Sequence, residues 1–260
     1  MDDSLIGKKS LGQHWLNDEH SLDAIASSIN LKSDDTVLEV GPGLGALTSK
    51  LVRQAKKVVA VELDREVIVY LQSNLKSSNL EIVNENILDF DLTSLPAGYK
   101  VVANIPYYLT SKLLRVLNES SNPFSQAALL VQKEVAERVA AEPGKMSLLS
   151  VSVQYYCQVS LGKLISADKF TPPPKVDSQV LILKTRDEPL FPEVDSRKYF
   201  QLVKAGFSQR RKTLVNSLSG GLRIERPEAG DLIERAGLTS SARPQTLSLE
   251  DWQKLYQSFY

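Results

Sequence analysis

Through the first 185 residues, short runs of apolar and β-branched residues alternate with longer stretches in which apolar positions return every three or four residues. The short runs at 36–40, 57–62, 81–83, 101–103, 127–131, 151–159 and 180–183 predict buried strands. The stretches 44–54, 65–75 and 111–117 have helical spacing and the length of a crossover between parallel strands. Together they predict an α/β fold on a largely parallel sheet.

The pattern then changes. Residues 169–175 contain Pro172, Pro173 and Pro174, which lack backbone donors and fix φ, so this segment predicts a stiff extended loop. The polar stretch 185–192, with Pro189 and Pro192, predicts a linker, dividing the chain into an α/β domain (1–186) and a small all-helical domain (187–260). Helical spacing in the second domain falls at 196–206, 209–217, 227–236 and 248–259, with Gly220-Gly221 and Gly237 as breaks.

Composition narrows the classes. A single cysteine, Cys157, excludes an intramolecular disulfide, and at the end of the mixed run Val153-Gln154-Tyr155-Tyr156-Cys157 it is expected to be a small core residue. Two histidines and one cysteine at no ligand spacing argue against zinc, and no metal is expected. The absence of a Gly-x-Ser-x-Gly elbow argues against a Ser-His-Asp hydrolase. The start has no signal-peptide pattern and no apolar run approaches the ~20 residues of a membrane span, so a soluble, cytoplasmic protein is expected. The 31 basic residues balance the 31 acidic ones, and the zero total gives no sign of a nucleic-acid partner. Position by position it does: residues 196–226 carry eight cations against Glu225 alone, a net charge of +7, leaving −7 for the rest.

The chemistry concentrates at strand ends. Val40-Gly41-Pro42-Gly43-Leu44-Gly45-Ala46 takes a strand into a glycine turn, where a missing Cβ lets a nucleotide approach the backbone. Glu62 closes the next strand, where a carboxylate can accept from both ribose hydroxyls of an adenosine. Glu39 lies under the loop as a scaffold residue. Gly41-x-Gly43-x-x-Ala46 also fits a dinucleotide fingerprint, so the loop alone leaves a nicotinamide dehydrogenase open. Asn104-Ile105-Pro106-Tyr107 points to the chemistry. The Asn104 amide oxygen and the Ile105 carbonyl are two aimed acceptors, with Pro106 adding stiffness and no competing N–H. Two acceptors on an exocyclic amine pull a delocalised nitrogen toward a reactive tetrahedral state. A sulfonium methyl donor loses its charge on transfer, so alignment and hydrogen bonding replace a strong base. Tyr107 offers a face for an unstacked base.

These residues, with Leu11-Gly12-Gln13-His14-Trp15-Leu16, Phe170-Thr171-Pro172-Pro173-Pro174-Lys175-Val176-Asp177-Ser178 and Phe207-Ser208-Gln209-Arg210-Arg211-Lys212-Thr213-Leu214, resemble the small-subunit ribosomal RNA adenine dimethyltransferases, the KsgA family, over almost the whole chain. That family shares its fold with the Erm methyltransferases. The resemblance implies a Rossmann-like S-adenosylmethionine-dependent methyltransferase sheet and dimethylation of N6 of two adjacent adenines in the 3′-terminal hairpin of 16S rRNA, late in small-subunit biogenesis. It places S-adenosylmethionine contacts at His14, Leu16, Gly41, Glu62, Asn86 and Asn104, with Gly43 in the same turn, and catalytic contacts at Asn104, Ile105, Pro106, Tyr107 and Phe170. Phe170 would close an aromatic sandwich on the adenine with Tyr107. Asn86 stands where the family has Asp, with Asp89 three residues on. Arg210, Arg211 and Lys212, at or near a helix start, and Lys8 and Lys9 would contact RNA phosphates of the small ribosomal subunit. A monomer is expected. The competing readings are an Erm-type 23S rRNA adenine methyltransferase and a non-catalytic ribosome-assembly protein of the same fold.

Overall fold

The computed structural model describes residues 14–209 and 211–260. Its main sheet contains β1 (Thr36–Val40), β2 (Lys57–Glu62), β3 (Leu80–Asn84), β4 (Lys100–Asn104), β5 (Gln126–Gln132), β6 (Cys157–Ile165) and β7 (Ser178–Thr185), in spatial order β3-β2-β1-β4-β5-β7-β6. Strands β1 to β5 are mutually parallel and β7 runs antiparallel to β5. The central strands are continuous apolar runs because both faces are covered: Val37, Leu38, Val101, Val102, Ala128 and Leu129 have no exposed surface.

The chain moves outward from β1 to β3 and returns to β4 beside β1. Their carboxyl ends therefore flank the crevice where open α/β sheets bind ligands. At the opposite end of β4, the buried Lys100 Nζ donates to Asp35 Oδ2 at 2.7 Å and to the Asn30 carbonyl, tying the start of β4 to the segment before β1.

Helix α1 (Glu19–Ala26) is N-capped by Asp18, whose side chain accepts from the Ser21 amide. The helix expected at 44–54 shrinks to α2 (Thr48–Leu51), because Gly43 and Gly45, at φ +56° and +83°, hold the preceding residues in turns. Helices α3 (Arg65–Asn74) and α4 (Thr110–Glu119) match their expected positions to within a few residues. A second, two-stranded ladder pairs Trp15–Leu16 with Phe170–Thr171, so the start of the predicted proline loop is an antiparallel strand outside the main sheet.

Two compact units result. One comprises residues up to 136 with Gln158–Thr185, and the other comprises Glu137–Cys157 with Arg186–Tyr260. This division differs from the single cut at 186. After α5 (Lys133–Val139), the predicted strand at 151–159 is instead α6 (Leu148–Tyr156), which gives way to β6 at Cys157. Ser147 starts the helix with a reciprocal capping box to Ser150. Val151 and Tyr155, one turn apart, then enter the second unit's core, where the Tyr155 ring stacks on Tyr199 at 5.0 Å between centroids.

That core is closed by α7 (Ser196–Gly206), α8 (Leu214–Leu222), α9 (Arg226–Arg235) and α10 (Leu249–Phe259) around Trp252, Leu202 and Ile233. The helix expected at 209–217 begins at Leu214. Gly220-Gly221 does not break it; α8 ends in Arg223, at φ +59°. Gly221, like Gly206, serves contact rather than termination. A Cβ on Gly221 would lie 2.7 Å from Ala205 Cα, and one on Gly206 would lie 2.3 Å from the Trp252 ring. Gly221→Ala is therefore expected to destabilise the protein by about 1–3 kcal/mol through overpacking, reversing the ~1 kcal/mol that alanine gains in an open helix. Chemical denaturation measures the change, and a stabilised variant would contradict this packing.

Candidate active site

A cavity of about 290 Å³ opens at the carboxyl ends of β1, β2 and β4, and all its lining residues belong to the sheet unit. Its floor is the glycine turn. Gly41 at φ +66° donates its amide to the Val61 carbonyl at 3.0 Å, anchoring the turn to β2. Gly43 is the tightest point: a Cβ there would lie 2.3 Å from the Trp15 ring, and the backbone is left-handed. Only glycine satisfies both conditions.

Glu62 stands where the sequence expects it, at the end of β2 and 8% exposed. Its Oε1 accepts from the amides of Leu63 at 2.8 Å and Asp64 at 2.9 Å, which fixes the carboxylate plane. Burial raises its pKa. The amides of Asp64, Leu63 and Gly43 oppose that by favouring the charged form, and the neighbouring Asp64 charge adds to the rise. An oriented carboxylate at this position is suited to a ribose diol. The exposed Leu63, with the largely buried Ile87 and the adjacent Leu88, supplies an apolar wall for a flat base beyond it.

Glu39 is different. It is 1% exposed, lines the same cavity, and its Oε2 has no hydrogen-bond partner among the described residues. Desolvation pushes its acid up to about 8; Thr48 works against the shift and the Glu62 charge adds to it. The shift favours the protonated, neutral form of Glu39 at neutral pH, which suits a scaffold under the loop.

The transfer motif lies across the crevice. Asn104 ends β4, and its Nδ2 donates to the His14 carbonyl at 3.4 Å, leaving Oδ1 as the atom available to a ligand. The Ile105 amide donates to the Leu130 carbonyl at 3.2 Å, and the Leu109 amide donates to the Pro106 carbonyl at 2.9 Å, so the turn is held on both sides. No described residue donates to the Ile105 carbonyl. The Tyr107 hydroxyl meets Ser178 Oγ at 2.8 Å, and its ring stacks on His14 at 5.7 Å and 24°. His14 Nδ1 in turn donates to the Pro172 carbonyl at 2.7 Å. Leu16, 3% exposed, completes this wall.

The structure thus brings together His14, Leu16, Gly41, Gly43, Glu62, Asn86, Asn104, Ile105, Pro106 and Tyr107 around one cavity. Asn86 reaches it with its amide engaged: Nδ2 donates to Asp89 Oδ2 at 2.8 Å, and Oδ1 accepts from the Leu88 amide at 3.2 Å. Asp89 braces Asn86 and does not line the cavity.

Phe170 stands apart from these residues. It is 3% exposed, packs with Leu16, Leu22 and Val180, and does not line the cavity. Its ladder pairing with Leu16 accompanies this core placement, so in this structure it closes no sandwich with Tyr107. Arg211 and Lys212 are exposed in the turn before α8, and Arg197, Lys198, Lys204, Arg223 and Arg226 are exposed as well. None of these seven forms an ion pair among the described residues, although Lys198 Nζ lies 4.8 Å over the Tyr260 ring. Lys8, Lys9 and Arg210 lie outside the described residues.

Sequence reasoning missed two supports. Trp15 walls the glycine turn, and Ser178 pins Tyr107. A large aromatic in the block beside His14 was a signal for the first; nothing local marks the second. Among the described residues no group of three or more His, Cys, Asp or Glu side chains could hold a metal, and no helix is long and apolar enough to cross a membrane.

A sheet in this order, with a glycine turn and an Asn-Ile-Pro-Tyr turn facing each other at its switch point, is that of a Rossmann-like methyltransferase. Comparison with known proteins carries the assignment further. The family model described as "Ribosomal RNA adenine dimethylase" matches residues 5–259, and the chain belongs to that family of rRNA-modifying enzymes. It is 40% identical over 256 residues to a protein from Dehalococcoides mccartyi (strain CBDB1) named Ribosomal RNA small subunit methyltransferase A, covering 97% of this chain and 88% of the relative. A protein of the same name from Clostridium botulinum (strain Kyoto / Type A2) is 40% identical over 259 residues, covering 97% and 94%. Among solved structures, a dimethyladenosine transferase from Plasmodium falciparum superposes with TM-score 0.81 at 27% identity, over 95% of this chain and 97% of that one. The 23S rRNA methyltransferase ErmE gives 0.74 at 27%, over 94% and 98%.

Glu39 gives a pH signature. Between its ordinary value of 4.5 and about 8, the folded chain holds a proton that the unfolded chain releases, so this group's contribution to stability falls as pH rises through that window. Glu39→Gln should flatten the decline in melting temperature between pH 5 and pH 9, leaving the smaller part due to Glu62. Thermal melts across that range check it, and parallel curves for wild type and variant would refute it.

Proposed function

We propose that the protein transfers methyl groups from S-adenosylmethionine to N6 of two adjacent adenines in the 3′-terminal hairpin of 16S rRNA, late in small-subunit assembly. The observation that carries this reading is the Asn104-Ile105 acceptor pair facing the glycine turn across one cavity. The residues fit the donor: Gly41 and Gly43 allow close backbone approach, Glu62 presents a fixed carboxylate to a ribose, and Leu63 and Ile87 flank a flat base. Bound there, the donor supplies an electrophilic methyl on a sulfonium.

The chain's own groups act on the acceptor. Asn104 Oδ1 and the Ile105 carbonyl accept from the two N–H bonds of the adenine amine, drawing its lone pair out of conjugation with the ring. Pro106 keeps the second acceptor uncontested. Tyr107, held by Ser178 and His14, limits how the extruded base can tilt. No charged base is required, because the amine proton becomes acidic as the new bond forms.

The small-subunit substrate is favoured over the Erm-type one by 40% identity, over nearly the whole chain, to proteins named for the small subunit, against 27% to ErmE. Incubating the protein with labelled donor and small subunits lacking these methyl groups should place label in adjacent adenines of the 3′ hairpin. Label in large-subunit RNA, or none beside an active control, would reject the reading. Asn104→Ala should lower transfer by at least ~10²-fold, the scale of a lost transition-state hydrogen-bonding group, while calorimetry still detects donor binding.

RNA contact through the exposed cations has its own signature. Replacing Arg211 and Lys212 together by alanine should reduce the slope of log affinity against log salt by about 1.4–1.8, measured on rRNA. An unchanged slope would remove them from the interface.

A further inference from the structure

Two groups at the cavity mouth have no part in the chemistry above. Tyr108 and Lys112 both line the cavity, and both side chains are exposed, Tyr108 to 62%. They contrast with their neighbours. Tyr107 is fixed by a hydrogen bond and a ring stack, and Leu109 is buried. Tyr108 lies in the 3₁₀ turn Tyr107–Leu109 that leads into α4, and Lys112 is four residues on, one turn along the same face.

Neither position benefits the fold. An exposed tyrosine ring buries little apolar surface. A lysine in the first turn of a ten-residue helix faces the positive end of the helix dipole, and this first turn contains no acidic residue to offset it. Lys112 forms no ion pair among the described residues; the acid of α4, Glu119, is taken by Arg115 at 2.9 Å. An open aromatic face and an unneutralised cation, side by side at the edge of a cleft, match the alternation of bases and phosphates along a single strand.

We propose that Tyr108 and Lys112 form an outer docking element for the substrate strand: the Tyr108 ring stacks on the unpaired base next to the target adenine, and Lys112 takes a phosphate of the same strand. The inference rests on the adenine-methylating reading, and it gives the second of two adjacent adenines a place to rest while the first occupies the cavity. It also supplies an aromatic surface at the cleft that Phe170, buried in the core, does not.

The test is fluorescence anisotropy of the full chain with a labelled RNA hairpin carrying two adjacent unpaired adenines. Tyr108→Ala is expected to weaken binding about tenfold, and Tyr108→Phe, which keeps the ring, to restore it. Lys112→Gln should lower the salt slope by about 0.7–0.9. An abasic site beside the target should erase the difference between wild type and Tyr108→Ala. Equal affinities for wild type and Tyr108→Ala, a defect that persists at the abasic site, or an unchanged salt slope for Lys112→Gln would overturn the proposal. So would a defect seen only with whole subunits, which would assign the pair to a ribosomal protein. Binding is read without turnover, so a wild type that binds the hairpin but transfers no methyl group would count against the proposed function and leave this result standing.

Discussion

Trp15 lies against the backbone of Gly43 so closely that no side chain could stand between them. The rest of the site follows from that approach. Seated on the glycine turn, Trp15 enters the short ladder with Thr171, which places His14 against Tyr107 and its carbonyl beneath the Asn104 amide. The donor-side turn and the acceptor-side turn, on different strands, are thereby joined through one tryptophan and one histidine.

The two carboxyl groups beside the loop show how the same surroundings treat like groups differently. Backbone amides converge on Glu62, while Glu39, one strand over, has an oxygen without a partner. A buried carboxylate without donors is costly, and a buried carboxylic acid much less so. Below about pH 8 Glu39 therefore favours the acid form, which adds no second negative charge beneath an oriented one.

The strands were legible because burial on two faces leaves continuous apolar runs, and the glycine and Asn-Ile-Pro-Tyr turns because their backbone demands restrict residue choice. What escaped was decided across space. Val151, Val153 and Tyr155 alternate like a strand, yet Val151 and Tyr155 are also one helical turn apart, and the aromatic cluster with Tyr199 and Phe191 selects the helix. Gly220-Gly221 looks like a stop until Ala205 is seen against Gly221. Phe170 looks available beside three prolines, but its ladder partner Leu16 is 154 residues earlier and both side chains are buried. Of the donor and transfer residues that the resemblance names, all but Phe170 line one cavity, because the resemblance carries residue identities and side-chain orientation is set by packing.

The second unit is assembled from two stretches of chain, Glu137–Cys157 and Arg186–Tyr260, separated by two strands of the sheet. A ribosome synthesising this protein releases α6 long before α10, whose Trp252 and Leu255 complete the core that Val151 and Tyr155 enter. Until then the early segment has an apolar face without its final partners, while β6 and β7, on either side of the 158–185 return, can already join the sheet. In order of synthesis, every residue of the unit bearing the cavity precedes the helices that complete the second core.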